Sequence, residues 1–274
     1  MKTNTLHVQL TGLARTTANL ESITTAADLA VWRSASVVLR ERTYATEDGT
    51  VRVQVDWDPL VMRDHADEGP VPFEVQVIDE RVDADAGDAE SFAALFFHDA
   101  FLMLNLAVPG SFGGAIAILS GGSDVALSAR MFEYAWAAAS RNGSPSIEPL
   151  PLADVVAWYD SVQIGTQQLA TDGVAKALFL LLHLARREED ESTSVVRLGQ
   201  ALEALEIGVP PHFFELRDAI VHGVAPVLHP LADDALDDRV DDESLELVNA
   251  SDFAASVVVG ALQARVRELR RSAG

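Results

Sequence analysis

The spacing of apolar residues changes from strand-like alternation to helical periodicity about halfway along this chain of 274 residues. Polar and apolar residues alternate at 6–10 and again at 73–82, which is typical of strands with one buried face. Beyond residue 150 the apolar residues recur every three or four positions, which is typical of amphipathic helices. The sequence therefore predicts an α+β protein, with a β-rich N-terminal domain followed by an all-helical C-terminal domain.

The N-terminal domain is predicted to span residues 1–145. The tripeptide Glu47-Asp48-Gly49 predicts a hairpin turn, because glycine readily adopts the positive φ that such turns need. One long helix is predicted at 88–108, with Asp88 as its cap and Pro109-Gly110 as its stop. We expect a sandwich or a curved sheet with this helix packed against it. Besides 6–10, strands are predicted at 35–42, 51–57, 73–82, 115–120 and 126–138.

A segment rich in proline and glycine at 141–151 separates the two predicted domains, because these residues interrupt regular structure. The second domain is predicted to span residues 153–274 as a bundle. Within it, 175–185 is apolar on nearly every side and is expected to be central and buried. Helices are predicted at 153–161, 167–189, 194–206, 213–222 and 249–271.

Composition excludes several classes of protein. The chain has no cysteine, which excludes disulfides, zinc–thiolate sites and cysteine nucleophiles. Its net charge of −22 argues against a protein that coats nucleic acid non-specifically, because such binding depends on cationic side chains. Residues 1–10 lack the apolar core of a signal peptide, and the apolar run at 175–185 is too short to cross a bilayer. We therefore expect a cytoplasmic protein without a membrane partner.

The predicted helix at 213–222 carries the one constellation of residues that matches known chemistry. Arg217 and His222 are separated by four residues, Asp218 follows the arginine, and Gly223 follows the histidine. Histidine titrates near neutral pH and serves as a general acid or base. Arginine stays charged, and its planar fork matches the oxygens of a phosphate group. Five residues along an ideal helix rotate by about 140°, so the two side chains do not share one face.

This motif resembles the Arg-x4-His signature of the HEPN superfamily, the higher eukaryotes and prokaryotes nucleotide-binding domains. The resemblance covers roughly 153–274 and implies a HEPN-like helical bundle with the motif on the helix before the last long one. It further implies a metal-independent endoribonuclease with an RNA substrate, no cofactor and no metal. Its catalytic residues are then Arg217, Asp218 and His222, brought together in a homodimer through the C-terminal bundle. A β-rich N-terminal domain before such a bundle resembles bacterial HEPN proteins of anti-phage defence and suggests a defence or stress role.

Two other interpretations of the motif stand beside the enzyme. In one, the chain is a non-catalytic HEPN-like binding or scaffold protein whose β-rich domain recognises a partner. In the other, the motif is structural: a histidine suits the negative end of a helix, Gly223 suits the position after it, and Arg217 pairs with Glu215 or with an acid elsewhere. An enzyme needs Arg217 and His222 exposed in a common cleft, whereas a scaffold protein can bury them or pair them with other residues.

Three other polar features are interpreted without a catalytic role. The dipeptide His98-Asp99 occurs in metal phosphohydrolases, but no matching ligand set accompanies it, so it is predicted to be a polar pair on an apolar helix. The acidic stretch 233–246 lacks the spacing of a calcium-binding loop and is predicted to be a solvated loop. His183 is predicted to be a hydrogen-bonded residue of the core.

Overall fold

The protein forms two compact units, and each unit draws on both predicted domains. The first contains Met1–Arg130, Glu148–Leu169 and Gln263–Gly274, and the second contains Met131–Ile147 and Ala170–Leu262. The computed structural model describes residues 1–11, 21–61, 70–81, 88–119, 123–143, 145–162, 164, 169–186, 191–225 and 242–273.

The first unit is built on a six-stranded antiparallel sheet with strand order β2-β3-β4-β1-β5-β6. Side chains of β4 alternate between buried and exposed, so one face of the sheet lies on the core. Glycine at position 49 has a φ of 145° and completes the predicted turn between β2 and β3. The predicted strands at 6–10, 51–57, 73–82 and 115–120 are confirmed. The strands are β1 Lys2–Thr11, β2 Glu41–Thr46, β3 Gly49–Val55, β4 Val71–Asp79, β5 Gly114–Ile118 and β6 Ser123–Leu127.

Helices cover the buried face of this sheet. The predicted helix at 88–108 is confirmed as α3, which packs against β3, β4 and β6. Trp57 lies beneath the sheet with ring contacts to Phe73, Phe96 and Phe112, and its indole N–H donates to the carbonyl of Leu39 at 3.0 Å. This aromatic cluster is fully buried and joins the sheet to α3. The helices of this unit are α1 Glu21–Val38, α2 Asp58–Val61, α3 Asp88–Ala107 and α5 Leu152–Val162.

The second unit is helical in its described part, and α7 is at its centre. This helix packs against α6 on one side and α8 on the other. The predicted helices at 167–189, 194–206, 213–222 and 249–271 are confirmed, with bounds that differ by up to seven residues. Buried leucines such as Leu178, Leu202 and Leu262 form the core that the periodicity predicts. The helices are α4 Arg130–Asn142, α6 Gly173–Arg186, α7 Glu191–Ala204, α8 Pro211–Val221 and the first part of α9 Asp242–Ala273.

The predicted strand at 126–138 is wrong beyond Leu127, because α4 begins at Arg130. Phe132, Ala135, Trp136 and Ala139 are all buried. Their spacing of three and four residues is typical of a helix. The short apolar run before them fits an alternating pattern as well, which led to the prediction of a strand.

The predicted strand at 35–42 is also wrong in its first part. Residues 35–38 form the last turn of α1, and β2 begins only at Glu41. Ala35 and Leu39 are both fully buried, which is the i, i+4 spacing of a helix face. The β-branched pair Val37-Val38 favours a strand locally, but packing of α1 overrides that preference.

One helical stretch within the described residues, Leu245–Ser272, is long and apolar enough by length and composition to cross a bilayer. Its best window has a mean hydropathy of 1.4, and half of that window is buried inside the protein. The core helix of a protein without membrane spans gives the same pattern. The stretch is therefore weak support for a membrane span.

Candidate functional site

The predicted site residues lie on α8, a helix of eleven residues. Pro210 and Pro211 stand at its start, where a missing backbone N–H costs no helical hydrogen bond. Phe213 is 1 % exposed and anchors the first turn, and α8 packs on α7. The local sequence thus fixes where the helix begins and which side of it faces the unit.

The end of α8 is a Schellman motif. The N–H of Gly223 donates to the carbonyl of Ile220 at 3.0 Å, and the N–H of Val224 donates to the carbonyl of Ala219 at 2.8 Å. Gly223 has a φ of 70°, the left-handed conformation that the position after a helix favours in glycine. His222 is therefore the last residue before the chain turns away, and the sequence-based prediction for Gly223 is confirmed.

The guanidinium of Arg217 is held on three sides. Its Nε and Nη2 donate to one carboxylate oxygen of Asp218, at 3.0 and 2.7 Å, and its Nη1 donates to Glu203 of α7. The ring of Phe214 lies 4.9 Å from the guanidinium carbon. Hydrogen bonds to Glu203, and then to Asp218, raise the pKa of Arg217 above its ordinary value. The side chain is 18 % exposed, so part of this cation faces solvent.

Glycine at position 199 makes this placement of Arg217 possible. A Cβ atom there would lie 2.7 Å from Cδ of Arg217 and 3.5 Å from the ring of Phe213. The aliphatic part of the arginine therefore passes directly over the backbone of α7. No sequence motif indicates this role, because the two residues meet only when α7 and α8 pack.

His222 is exposed, and its backbone N–H donates to the carbonyl of Asp218 at 2.9 Å. Among the residues that the structure describes, its side chain makes no hydrogen bond or ion pair. The structure therefore brings Arg217 and Asp218 into direct contact and presents the His222 side chain separately, at the end of the same helix. The structural interpretation allowed Glu215 or an acid elsewhere as the partner of Arg217, and the structure has acids other than Glu215, namely Glu203 and Asp218.

A buried polar cluster in the first unit escaped the sequence analysis. Asp99 of α3 is 2 % exposed and accepts hydrogen bonds from the hydroxyls of Tyr44 and Tyr159, at 3.0 and 2.8 Å. Nε of Arg42 lies 3.3 Å from Asp99, and Nη2 of Arg42 donates to Asp160 at 2.9 Å. The cluster joins β2, α3 and α5, so the predicted polar pair at 98–99 contributes a central residue of this unit.

Burial governs the electrostatics of this cluster. Burial raises the pKa of the Asp99 carboxyl, against the opposing effects of Arg42 and the two tyrosine hydroxyls. Burial also raises the pKa values of Tyr44 and Tyr159 well above the ordinary value, so both keep their protons and donate. Both tyrosine hydroxyls and Nη2 of Arg42 donate to carboxylates within the cluster, whereas Nε of Arg42 is buried and makes no hydrogen bond to the described residues. The cluster is a packed polar centre that joins three elements.

An open cavity of about 330 Å³ lies between α6 and α7 in the second unit. His183 is exposed on its wall, so the prediction of a core position for this histidine is wrong. The helix α6 turns its other face inward, where Leu178, Leu181 and Leu184 are buried. The cavity is lined by Ala170, Lys176, Phe179, Leu180, His183, Gln200 and Ala204.

Within the ranges that the structure describes, no three His, Asp or Glu side chains are grouped so as to hold a metal ion. The acidic stretch 233–246 lies outside the described residues up to 241, and its remainder opens α9. Comparison of the chain with protein-family models, curated proteins and solved structures gives no match. The resemblance to the HEPN superfamily therefore depends on the motif and its placement alone.

Proposed function

We propose that this chain is a metal-independent endoribonuclease of HEPN type, with Arg217, Asp218 and His222 as its site. One observation carries the proposal: His222 is exposed and has no structural partner for its side chain within the described residues. An exposed imidazole is accessible to a substrate and to solvent protons, as a general acid or base must be. Arg217, on the same helix, is oriented by Asp218 and retains an exposed fraction.

The proposed chemistry uses the nucleophile that RNA itself carries, the 2′-hydroxyl. Its oxygen attacks the adjacent phosphorus while the bond from phosphorus to the 5′-oxygen breaks, leaving a cyclic phosphate and a free 5′-hydroxyl. His222 takes the proton of the attacking hydroxyl or supplies the proton of the leaving oxygen. The guanidinium of Arg217 stabilises the charge that grows on the phosphate oxygens, and Asp218 holds that guanidinium in orientation.

A second copy of the chain completes this site in the proposal. One histidine per site performs one of the two proton transfers, so a His222 from each subunit would perform both. Val221 and Val224 flank His222 and are 60 % and 79 % exposed, which leaves an apolar surface at the end of α8. Burial of such a surface favours association. The proposed homodimer therefore places the ends of two α8 helices together.

The test incubates purified protein with mixed single-stranded RNAs in EDTA. We expect cleavage to persist under chelation and to be lost in His222→Ala. His212→Ala is the matched control, because His212 is an exposed histidine at the other end of α8 and should leave cleavage unchanged. Arg217→Lys keeps the charge but removes the bidentate fork, so cleavage should fall strongly. Activity that disappears in EDTA and returns with Mg²⁺ would contradict the proposal.

A non-catalytic binding protein is the second candidate, and one observation favours it. The positive charge of Arg217 is offset by two carboxylates, Glu203 and Asp218. Such pairing weakens the attraction of the cation for phosphate. In this candidate the first unit recognises a partner and the motif on α8 serves only the fold. The non-catalytic candidate would be supported if the wild-type protein, His222→Ala and Arg217→Lys all leave every RNA intact.

A further inference from the structure

We infer that Glu203 competes with phosphate for the guanidinium of Arg217 and thereby limits the affinity of this site for its anionic substrate. This inference deepens the proposed function and rests on it. Glu203 lies on α7, fourteen residues before Arg217 in the chain, and its carboxylate accepts from Nη1 of Arg217. Glu203 is not part of the Arg-x4-His motif.

The two carboxylates around Arg217 differ in how tightly they are placed. Asp218 is the next residue on α8, and one of its oxygens accepts from both Nε and Nη2 of Arg217. Glu203 reaches the arginine from another helix, makes a single contact to it, and is 53 % exposed. Asp218 is equally exposed, at 56 %, so the number of hydrogen bonds separates the two carboxylates. A phosphate that replaces Glu203 breaks one hydrogen bond of Arg217, whereas one that replaces Asp218 breaks two, so Glu203 is the partner that an incoming phosphate replaces.

The charge around Arg217 determines whether Glu203 strengthens or weakens phosphate binding. One guanidinium with two carboxylates carries a net charge of −1, which repels a phosphodiester. With Glu203 turned into solvent, the nearest charges of Arg217 and Asp218 cancel and Nη1 becomes available. A phosphate then gains a charge-assisted hydrogen bond from an arginine that is still oriented by Asp218.

The other role open to Glu203 is that of a brace that holds Arg217 in place. The structure already supplies that support from three other residues. The arginine stem crosses α7 at Gly199, its guanidinium lies against Phe214, and Asp218 accepts from two of its nitrogens. Loss of Glu203 therefore leaves the orientation of Arg217 intact. Competition predicts tighter substrate binding in Glu203→Gln, whereas a brace predicts weaker binding or slower turnover.

The experiment measures binding of a fluorescein-labelled single-stranded RNA by anisotropy in a His222→Ala background, where cleavage does not interfere. Glu203→Gln should tighten binding by about two- to fivefold, the range expected when one exposed competing ion pair is lost. In the His222-containing protein the same substitution should lower KM by a similar factor and leave kcat unchanged. Glu215→Gln is the matched control, because it makes the same charge change on α8 and should alter binding by less than about twofold.

A second probe, inorganic phosphate, separates this inference from the proposed function. Phosphate should raise the Tm of Glu203→Gln more than that of wild type, and Arg217→Ala should abolish the difference. If phosphate binding tightens while RNA is neither bound nor cleaved, the competition is supported and the ribonuclease proposal fails. Weaker RNA or phosphate binding in Glu203→Gln, unchanged binding, a fall in kcat, or an equal gain in Glu215→Gln would each overturn the inference.

Discussion

At the scale of single residues, the two proposed catalytic side chains of α8 are held in different ways. The guanidinium of Arg217 is held by side chains of α7 and α8, whereas His222 is fixed only through its backbone at the Schellman motif. His222→Ala should therefore lower the free energy of unfolding by less than about 1 kcal/mol, the typical worth of an exposed helix-end interaction. Replacing a buried leucine such as Leu202 by alanine should instead lower the free energy of unfolding by about 2–5 kcal/mol.

Asp79, at the end of β4, gives a residue-scale prediction about pH. It is 3 % exposed and accepts from the guanidinium of Arg81, at 3.0 Å from Nε and 2.6 Å from Nη2, and that arginine also pairs with Asp88 at 2.7 Å. These hydrogen bonds lower the pKa of Asp79. A carboxyl with a lowered pKa stabilises the fold above its unfolded pKa of about 3.9 and loses that contribution as pH falls through its folded pKa.

We therefore expect Asp79→Asn to lower the free energy of unfolding at pH 7 by about 1.5–3 kcal/mol, the worth of hydrogen bonds to a charged group. Urea denaturation measures the difference. Below pH 4 that difference should shrink, because the carboxyl binds a proton first in the unfolded chain and then, as the pH falls through its lowered pKa, in the folded protein. Asp124→Asn, at an exposed position of β6, is the control and should have little effect at either pH. A loss of unfolding free energy in Asp79→Asn that stays constant from pH 7 to pH 3 would contradict a stabilising role for the ionised Asp79.

At the scale of elements, the close approach of α6 to α7 depends on a glycine. A Cβ at Gly173 would lie 1.9 Å from the carbonyl oxygen of Ala204, and a backbone oxygen does not move aside as a flexible side chain does. Gly173→Ala should therefore shift the first turn of α6 and lower the free energy of unfolding by about 1–3 kcal/mol, the usual cost of overpacking. Chemical denaturation of the whole chain measures it.

Gly208 provides the matched control for this substitution. A Cβ there would have no atom within 4 Å, and its φ lies outside the left-handed region. Gly208→Ala should be neutral or slightly stabilising, because alanine reduces the conformational freedom of the unfolded chain. Equal stabilities of the two variants would show that the α6–α7 contact adjusts without cost.

At the scale of the whole molecule, the proposed dimer predicts that one exposed valine controls both association and activity. Val224 is 79 % exposed beside His222. Val224→Asp should turn a dimer into a monomer at micromolar concentration in sedimentation, because a buried charge opposes association. It should also abolish cleavage. The stability of the isolated chain should change by less than about 0.5 kcal/mol, as is usual for surface positions.

Val37→Asp is the control, since Val37 on α1 is 77 % exposed and lies in the other compact unit. It should leave both the sedimentation coefficient and cleavage unchanged. A wild-type protein that remains monomeric at these concentrations, yet cleaves RNA, would contradict a site shared between subunits. Loss of the dimer in both valine variants would mean that the interface does not depend specifically on the end of α8.

Local rules in the sequence determined most elements and the C-terminal end of α8. Period-two alternation identified four strands, and helical spacing identified α3 and the helices from α5 onward. Gly223 predicted the end of α8 because it acts through the backbone of its own neighbours, whereas the helix begins at Pro211, two residues before the predicted start. The errors at 35–42 and 126–138 arose where short apolar runs fit both periods, so packing made the choice.

Only the tertiary structure decided which side chains meet across elements. Arg217 pairs with Glu203 rather than Glu215 because α7 and α8 pack at Gly199, and no local spacing encodes that contact. The Asp99 cluster likewise joins residues up to 118 positions apart, so its members look ordinary in the sequence. The sequence determined local backbone preferences through residues a few positions apart. Partners for buried and charged groups were decided by the fold, because burial and Coulomb energies depend on distance in space.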